Sequence, residues 1–151
     1  MTTSDQLLEK LVARCSDLSR GPFGSWINGL FIAVTPPYDP QYPILSFDEQ
    51  KELFFRLLER LLREGRVVLI PPLDVSRYPD GRRRESIKRR VQDGDDRIWD
   101  EDPKIMVEYI RKTIPAEAVH EDDLVLHLYW YSSACPHIGW VHPETGELVF
   151  S

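Results

Sequence analysis

Ser46-Phe47-Asp48-Glu49-Gln50-Lys51-Glu52-Leu53-Phe54-Phe55-Arg56-Leu57-Leu58-Glu59-Arg60-Leu61-Leu62-Arg63-Glu64-Gly65 is the stretch on which the fold turns. Ser46 with Glu49 three residues on reads as a capping box, in which hydroxyl and carboxylate each satisfy the other residue's backbone N–H. Phe54, Leu57, Leu58, Leu61 and Leu62 then recur at helical intervals, so the helix has an apolar side that must face a core. Gly65 closes it, because glycine accepts the left-handed backbone with which many helices end. Glu52 with Arg56, and Glu59 with Arg63, stand one turn apart with the acid first, as expected of pairs on a solvated face.

Upstream, Thr3 precedes Gln6 at capping-box spacing, and Leu7, Leu8, Leu11, Val12 and Cys15 predict an amphipathic helix reaching about Leu18, stopped by Arg20-Gly21-Pro22. Residues 23–34 carry Phe23, Trp26, Ile27, Leu30, Phe31 and Ile32 at near-helical spacing. Gly24 and Gly29 weaken a helix there, and residues 31–35 suit a strand equally well. Pro36, Pro37, Tyr38, Pro40 and Pro43 impose a stiff extended connection, since proline restricts both its own φ and the residue before it.

Downstream, the β-branched run at residues 66–70 reads as a strand ended by Pro71-Pro72. Residues 74–81 read as loop, and residues 83–91 as a helical turn or two. Asp102-Pro103 opens a further helix with Ile105, Met106, Tyr109 and Ile110 on one side, and Pro115 ends it. Leu124, Leu126, Leu128 and Trp130 alternate with Val125, His127, Tyr129 and Tyr131, a period that predicts a strand. A turn at 132–136, a strand at 138–142, a turn at Pro143-Glu144-Thr145-Gly146 and a strand at 147–150 complete the chain. The expectation is one α+β domain over residues 1–151, with amphipathic helices packed on a small C-terminal antiparallel β-meander.

At 151 residues and 42% hydrophobic, the chain can bury a sizeable core. Uncharged apolar runs such as residues 31–34 are far short of the roughly 20 residues that span a bilayer. The polar, acidic N-terminus is unlike a secretory signal, so a cytoplasmic location is expected. Cys15 and Cys135 are too few for a disulfide framework and are read as reduced thiols, Cys15 on the buried side of its helix.

Metal-ligating side chains gather only at Cys135, His137 and His142, with His127 on a neighbouring element, and their spacing fits no recurrent zinc pattern. Cys135 as a nucleophile paired with His137 or His142 lacks an orienting group at motif spacing. Glycines at 21, 24 and 29 match neither the dinucleotide nor the P-loop pattern. No catalytic residue, metal or cofactor is therefore expected, and binding is favoured over catalysis.

Net charge is −6, which opposes non-specific attraction to nucleic acid. Residues 77–90 hold seven basic side chains against Asp80 and Glu85, a local +5 that leaves −11 elsewhere. Arg82 to Arg90 could contact phosphates, making a nucleic-acid-associated protein the alternative reading beside a non-catalytic structural or regulatory one. The acids that follow could instead neutralise that run in cis. The surface expected to meet a basic partner comprises Asp93, Asp95, Asp96, Asp100, Glu101, Asp102, Glu121, Asp122 and Asp123, with Trp99 as an aromatic anchor. A lid on the core is the competing role for Trp99.

Residues 47–66, together with Tyr129-Trp130-Tyr131, Cys135-Pro136 and Trp140, resemble the bacterial family called domain of unknown function 596. The resemblance covers about half the chain, and residues 78–102 depart from it. It implies a small bacterial protein similar to the immunity proteins of contact-dependent growth inhibition systems, with a cognate toxin domain as its partner. An acidic inhibitor of that kind can occupy the basic surface a nuclease toxin presents to a phosphate backbone.

Overall fold

The computed structural model describes residues 3–15, 22–35, 44–72, 98–99 and 101–149. Its elements are α1 (Thr3–Arg14), α2 (Ile27–Ile32), α3 (Phe47–Arg63), β1 (Val67–Ile70), α4 (Pro103–Thr113), α5 (Leu124–Trp130), β2 (His137–Val141) and β3 (Leu148–Val149).

Helix α3 organises them. Ser46 Oγ accepts the Glu49 N–H at 3.2 Å, and the Glu49 carboxylate accepts the Ser46 N–H at 2.9 Å. The Ser46 N–H, and after it the Ser46 side chain, hold the Glu49 carboxyl below its ordinary pKa by hydrogen bonding to it. At the other end Gly65 turns left-handed (φ 69°), and the N–H groups of Gly65 and Arg66 reach Leu62 O (3.1 Å) and Leu61 O (2.9 Å). Removing the cap hydroxyl with Ser46→Ala is expected to cost about 1 kcal/mol. Paired urea unfolding curves measure it, and identical midpoints would show that the cap contributes nothing.

The apolar side of α3 lays Leu53, Phe54, Phe55, Leu57, Leu58, Leu61 and Leu62 into the core. Leu7, Leu8, Leu11, Val12 and Cys15 pack there from α1, Ile27, Leu30 and Phe31 from α2, and Met106, Val107 and Ile110 from α4. The charged side of α3 stitches neighbours together where simple solvation was expected. Arg56 pairs with Asp5 (2.5 Å) and Arg60 with Glu9 (2.7 Å) on α1, while Glu52 pairs with Arg111 on α4. Glu52 therefore turns to Arg111 instead of Arg56, whereas the Glu59–Arg63 pair forms at 3.6 Å. Exposed pairs of this kind add little stability.

The ambiguity at residues 23–34 resolves as helix: α2 ends in a turn in which Val34 N–H donates to Phe31 O and Thr35 N–H to Ile32 O. Asp102 caps α4 by accepting the Lys104 N–H at 2.9 Å, with Pro103 opening the first turn. Among the described residues no helix is long and apolar enough to cross a membrane. The expected end of α1 near Leu18, the proline-rich connection and the charge-rich segment at 73–97 lie outside the described residues.

The sheet is three-stranded and antiparallel in the order β1-β2-β3, with Val67 opposite Trp140 and Val141 opposite Leu148. The α+β class holds, with one correction. Residues 124–131 form α5 and not the first strand of a meander, and β1, from the middle of the chain, takes that place. The run is apolar at nearly every position, so it satisfies a two-residue period and a helical one together. Helical spacing turns Leu126, Tyr129 and Trp130 inward, and Trp130 meets the rings of Phe31 (5.5 Å) and Phe54 (6.0 Å).

Candidate functional site

Folding 124–131 as a helix has a consequence at the surface. Leu124, Leu128 and Tyr131 are one turn apart, so they share the side of α5 opposite the core. They are 72%, 61% and 65% exposed. Trp26, at the start of α2, extends the row: its ring meets that of Tyr131 edge-on at 5.5 Å, and Asn28 Nδ2 donates to Tyr131 Oη at 3.5 Å. Single exposed apolar residues are ordinary, whereas a row of large ones is a candidate interaction surface.

α5 is held in this pose from beneath. Tyr129 Oη and Thr113 Oγ1 of α4 share a 2.7 Å hydrogen bond, and Tyr109 Oη donates to Ala134 O at 2.7 Å. Burial pushes the Tyr129 phenol well above its ordinary pKa, so it remains a neutral anchor. At the entrance to α5 the Asp123 carboxylate accepts the N–H groups of Val119 (2.7 Å) and His120 (3.0 Å), and these bonds hold its pKa below the usual range.

Of the residues expected to meet a partner, Asp93, Asp95, Asp96 and Asp100 lie outside the described residues. Trp99 is corrected: it is buried (5% exposed), its ring edge-on to Tyr109 at 5.4 Å, while its N–H donates to Leu69 O at 2.7 Å along the outer edge of β1. An indole spent on the core cannot anchor an interface. Glu101 and Asp102 are engaged locally, Glu101 accepting the Asp102 N–H (3.0 Å) and Asp102 capping α4. Glu121, Asp122 and Asp123 stand just before α5, where the Asp123 carboxylate is likewise engaged locally, by the Val119 and His120 N–H groups.

The row itself, Trp26, Leu124, Leu128 and Tyr131, was missed because a strand reading hides which side of 124–131 faces outward. A charge signal was there to find. Residues 113–151 contain six acids and neither lysine nor arginine, so this segment alone accounts for the chain's net charge of −6. Leu124, Leu128 and Tyr131 thus lie in the electronegative, cation-free part of the sequence, and Trp26 joins them from outside it.

The cysteine and histidines do not converge. Among the described residues, the group whose ligand atoms lie within 4.8 Å of one another is His120, Glu121 and Asp122, with no buried member. His120 Nδ1 there already accepts the Asp122 N–H at 3.1 Å. His142 Nδ1 accepts the Glu144 (3.2 Å) and Thr145 (3.4 Å) N–H groups and shapes the turn before β3. Both thiols are buried, and burial pushes Cys15 up to about 11 and Cys135 up to about 12, while Cys135 Sγ donates to Pro136 O at 3.4 Å. A thiol so far from ionisation is a poor nucleophile. A disulfide-exchange reagent is expected to label neither cysteine in the folded protein and both after unfolding. Rapid labelling of Cys135 under native conditions would contradict this.

The class this architecture defines is α+β, with helices gathered on a short antiparallel sheet. Among solved structures it is similar to an uncharacterized protein conserved in bacteria, from Neisseria meningitidis, with a TM-score of 0.61, 18% identity, and coverage of 96% of this chain and 87% of that one. At that identity the likeness concerns the fold. No protein-family model and no curated protein matches the chain.

Proposed function

We propose that this chain is an immunity protein, acting in the cytoplasm, that binds a cognate bacterial toxin domain of the contact-dependent growth inhibition kind and blocks it without chemistry of its own. The observation that carries this reading is the exposed row Leu124, Leu128 and Tyr131, inside a segment with six acids and no lysine or arginine, with Trp26 packed beside it. Apolar contact supplies affinity, and the surrounding negative charge steers a cationic partner and disfavours others. A nuclease toxin domain has such a cationic surface, because it must hold a phosphate backbone.

The test is co-expression with the toxin domain encoded beside this chain's gene. Cells are expected to survive, and a one-to-one complex to pass through affinity and size-exclusion steps. Continued killing with no complex recovered would end the proposal. The alternative, nucleic-acid association through Arg82 to Arg90, predicts binding to DNA or RNA that weakens steeply with salt. The acid excess of residues 113–151 opposes it.

A further inference from the structure

β3 is a strand of two residues, so its place in the sheet depends on the turn that delivers it. That turn closes on His142. The His142 N–H donates to Glu147 O at 2.9 Å, the Gly146 N–H donates to His142 O at 2.9 Å, and Gly146 takes the left-handed backbone (φ 75°). Inside the turn, Nδ1 of the His142 ring accepts the N–H groups of Glu144 (3.2 Å) and Thr145 (3.4 Å). An imidazole nitrogen accepts only while it carries no proton, and a charged ring is a donor at both nitrogens. These two bonds therefore require the neutral ring.

The same ring supports a second segment. Phe23, ahead of α2, stands edge-on to His142 at 6.3 Å and tilted to Trp140 at 5.5 Å, and Ser25 O accepts the Trp140 indole N–H at 2.8 Å. A Cβ at Gly24 would lie 3.8 Å from Val149 Cγ1, so residues 23–25 rest on the β2–β3 hairpin. Trp26, which meets Tyr131 beside the exposed row, follows directly.

The charges around the ring decide what a proton does there. Ahead of α2 the facing group is the uncharged Phe23, and in the turn itself the titratable groups are the Glu144 and Glu147 carboxylates. On the neighbouring strand side, Arg66 O accepts the Val141 N–H, while the Arg66 guanidinium turns to Glu64 (3.4 Å) and Val12 O (3.2 Å). Among the described residues no carboxylate forms an ion pair with the His142 ring. His120 is the contrast: its Nδ1 also accepts a backbone N–H, that of Asp122, but the Asp122 carboxylate stands 3.7 Å away to receive a charged ring.

We infer that His142 is a proton-sensitive latch: the neutral ring closes the turn that carries β3, and proton uptake opens that turn and loosens residues 23–25 upon it. Histidine ordinarily takes up its proton at about pH 6.5. The latch is closed on the alkaline side and opens as pH falls.

Hydrogen exchange followed by NMR on the whole protein tests this, with His142→Asn and His142→Phe beside the parent. Asparagine offers its side-chain oxygen to the same backbone groups and does not titrate, whereas phenylalanine keeps a ring against Phe23 and accepts nothing. Protection is compared at about pH 7.5 and about pH 5.5, with intrinsic exchange rates divided out. In the parent, protection of the amides of residues 142 and 146 and of the Trp140 indole N–H is expected to fall by roughly 10-fold, the scale of a lost hydrogen bond or two. In His142→Asn it is expected to hold at both values, and in His142→Phe to be low at both. Unchanged protection in the parent overturns the inference. So does an equal loss in His142→Asn, which assigns the effect to acid acting elsewhere. Loss at the turn with the Trp140 indole unmoved overturns the tie to residues 23–25. The parent and asparagine arms decide the matter even where phenylalanine unfolds the chain.

Discussion

A Leu128→Arg variant is expected to lose at least ~100-fold in affinity for the cognate toxin domain while keeping the parent protein's unfolding midpoint. Leu128 is 61% exposed on the outer side of α5, so its side chain contributes little to the core, and arginine is as good a helix former as leucine. In a complex the same position would sit between Leu124 and Tyr131. A guanidinium there must be desolvated, and it faces a cationic partner, so attraction becomes repulsion. A hundredfold loss is ~2.7 kcal/mol, the scale of a central contact. Calorimetric titration measures the affinity, thermal unfolding checks the fold, and Leu128→Ala should show a smaller loss of the same sign. Unchanged affinity in Leu128→Arg would remove α5 from the interface.

Phe54→Ala is expected to destabilise the fold by ~3–5 kcal/mol, a large share of the roughly 5–15 kcal/mol that holds a domain together. Phe54 is 0% exposed, and its ring meets those of Phe31 (5.3 Å), Phe55 (5.5 Å) and Trp130 (6.0 Å). It is therefore the point at which α2, α3 and α5 touch. Alanine leaves a cavity walled by stiff rings, and aromatic rings collapse poorly into a void. Urea unfolding followed by far-ultraviolet circular dichroism gives the loss, and a cost under about 1 kcal/mol would mean that the aromatic cluster is not the keystone described here. Because α5 rests on this cluster through Trp130, the same substitution should weaken partner binding indirectly.

How much could be read in advance depended on how local each feature is. Ser46, Glu49 and Gly65 set the ends of α3 through bonds to residues within five positions, so the helix was legible end to end. Asp102 and Pro103 did the same for the start of α4. The acids of 121–123 read as surface charge, whereas the exposed row that follows them along α5 is not legible. The fate of Trp99 was likewise hidden: acidic neighbours suggest exposure, but its amide completes the edge of β1 and its ring covers Tyr109. A cavity beside Trp26 joins residues from α2, β1, α5 and β2, and nothing local announces such a meeting.

The α+β class, the positions of α1, α3 and α4, the closing hairpin and the concentration of excess acid after Thr113 are legible along the chain, because each follows from contacts or charges close in sequence. That residues 124–131 coil, that Trp99 is inside, and that Leu124, Leu128, Tyr131 and Trp26 form one outward row emerges only in the folded arrangement. The physical reason is that an apolar run without charges satisfies both periods. The choice falls to its neighbours: Phe31 and Phe54 offer Trp130 a ring-lined seat reached in helical form, while β1 and β3 already pair with both sides of β2.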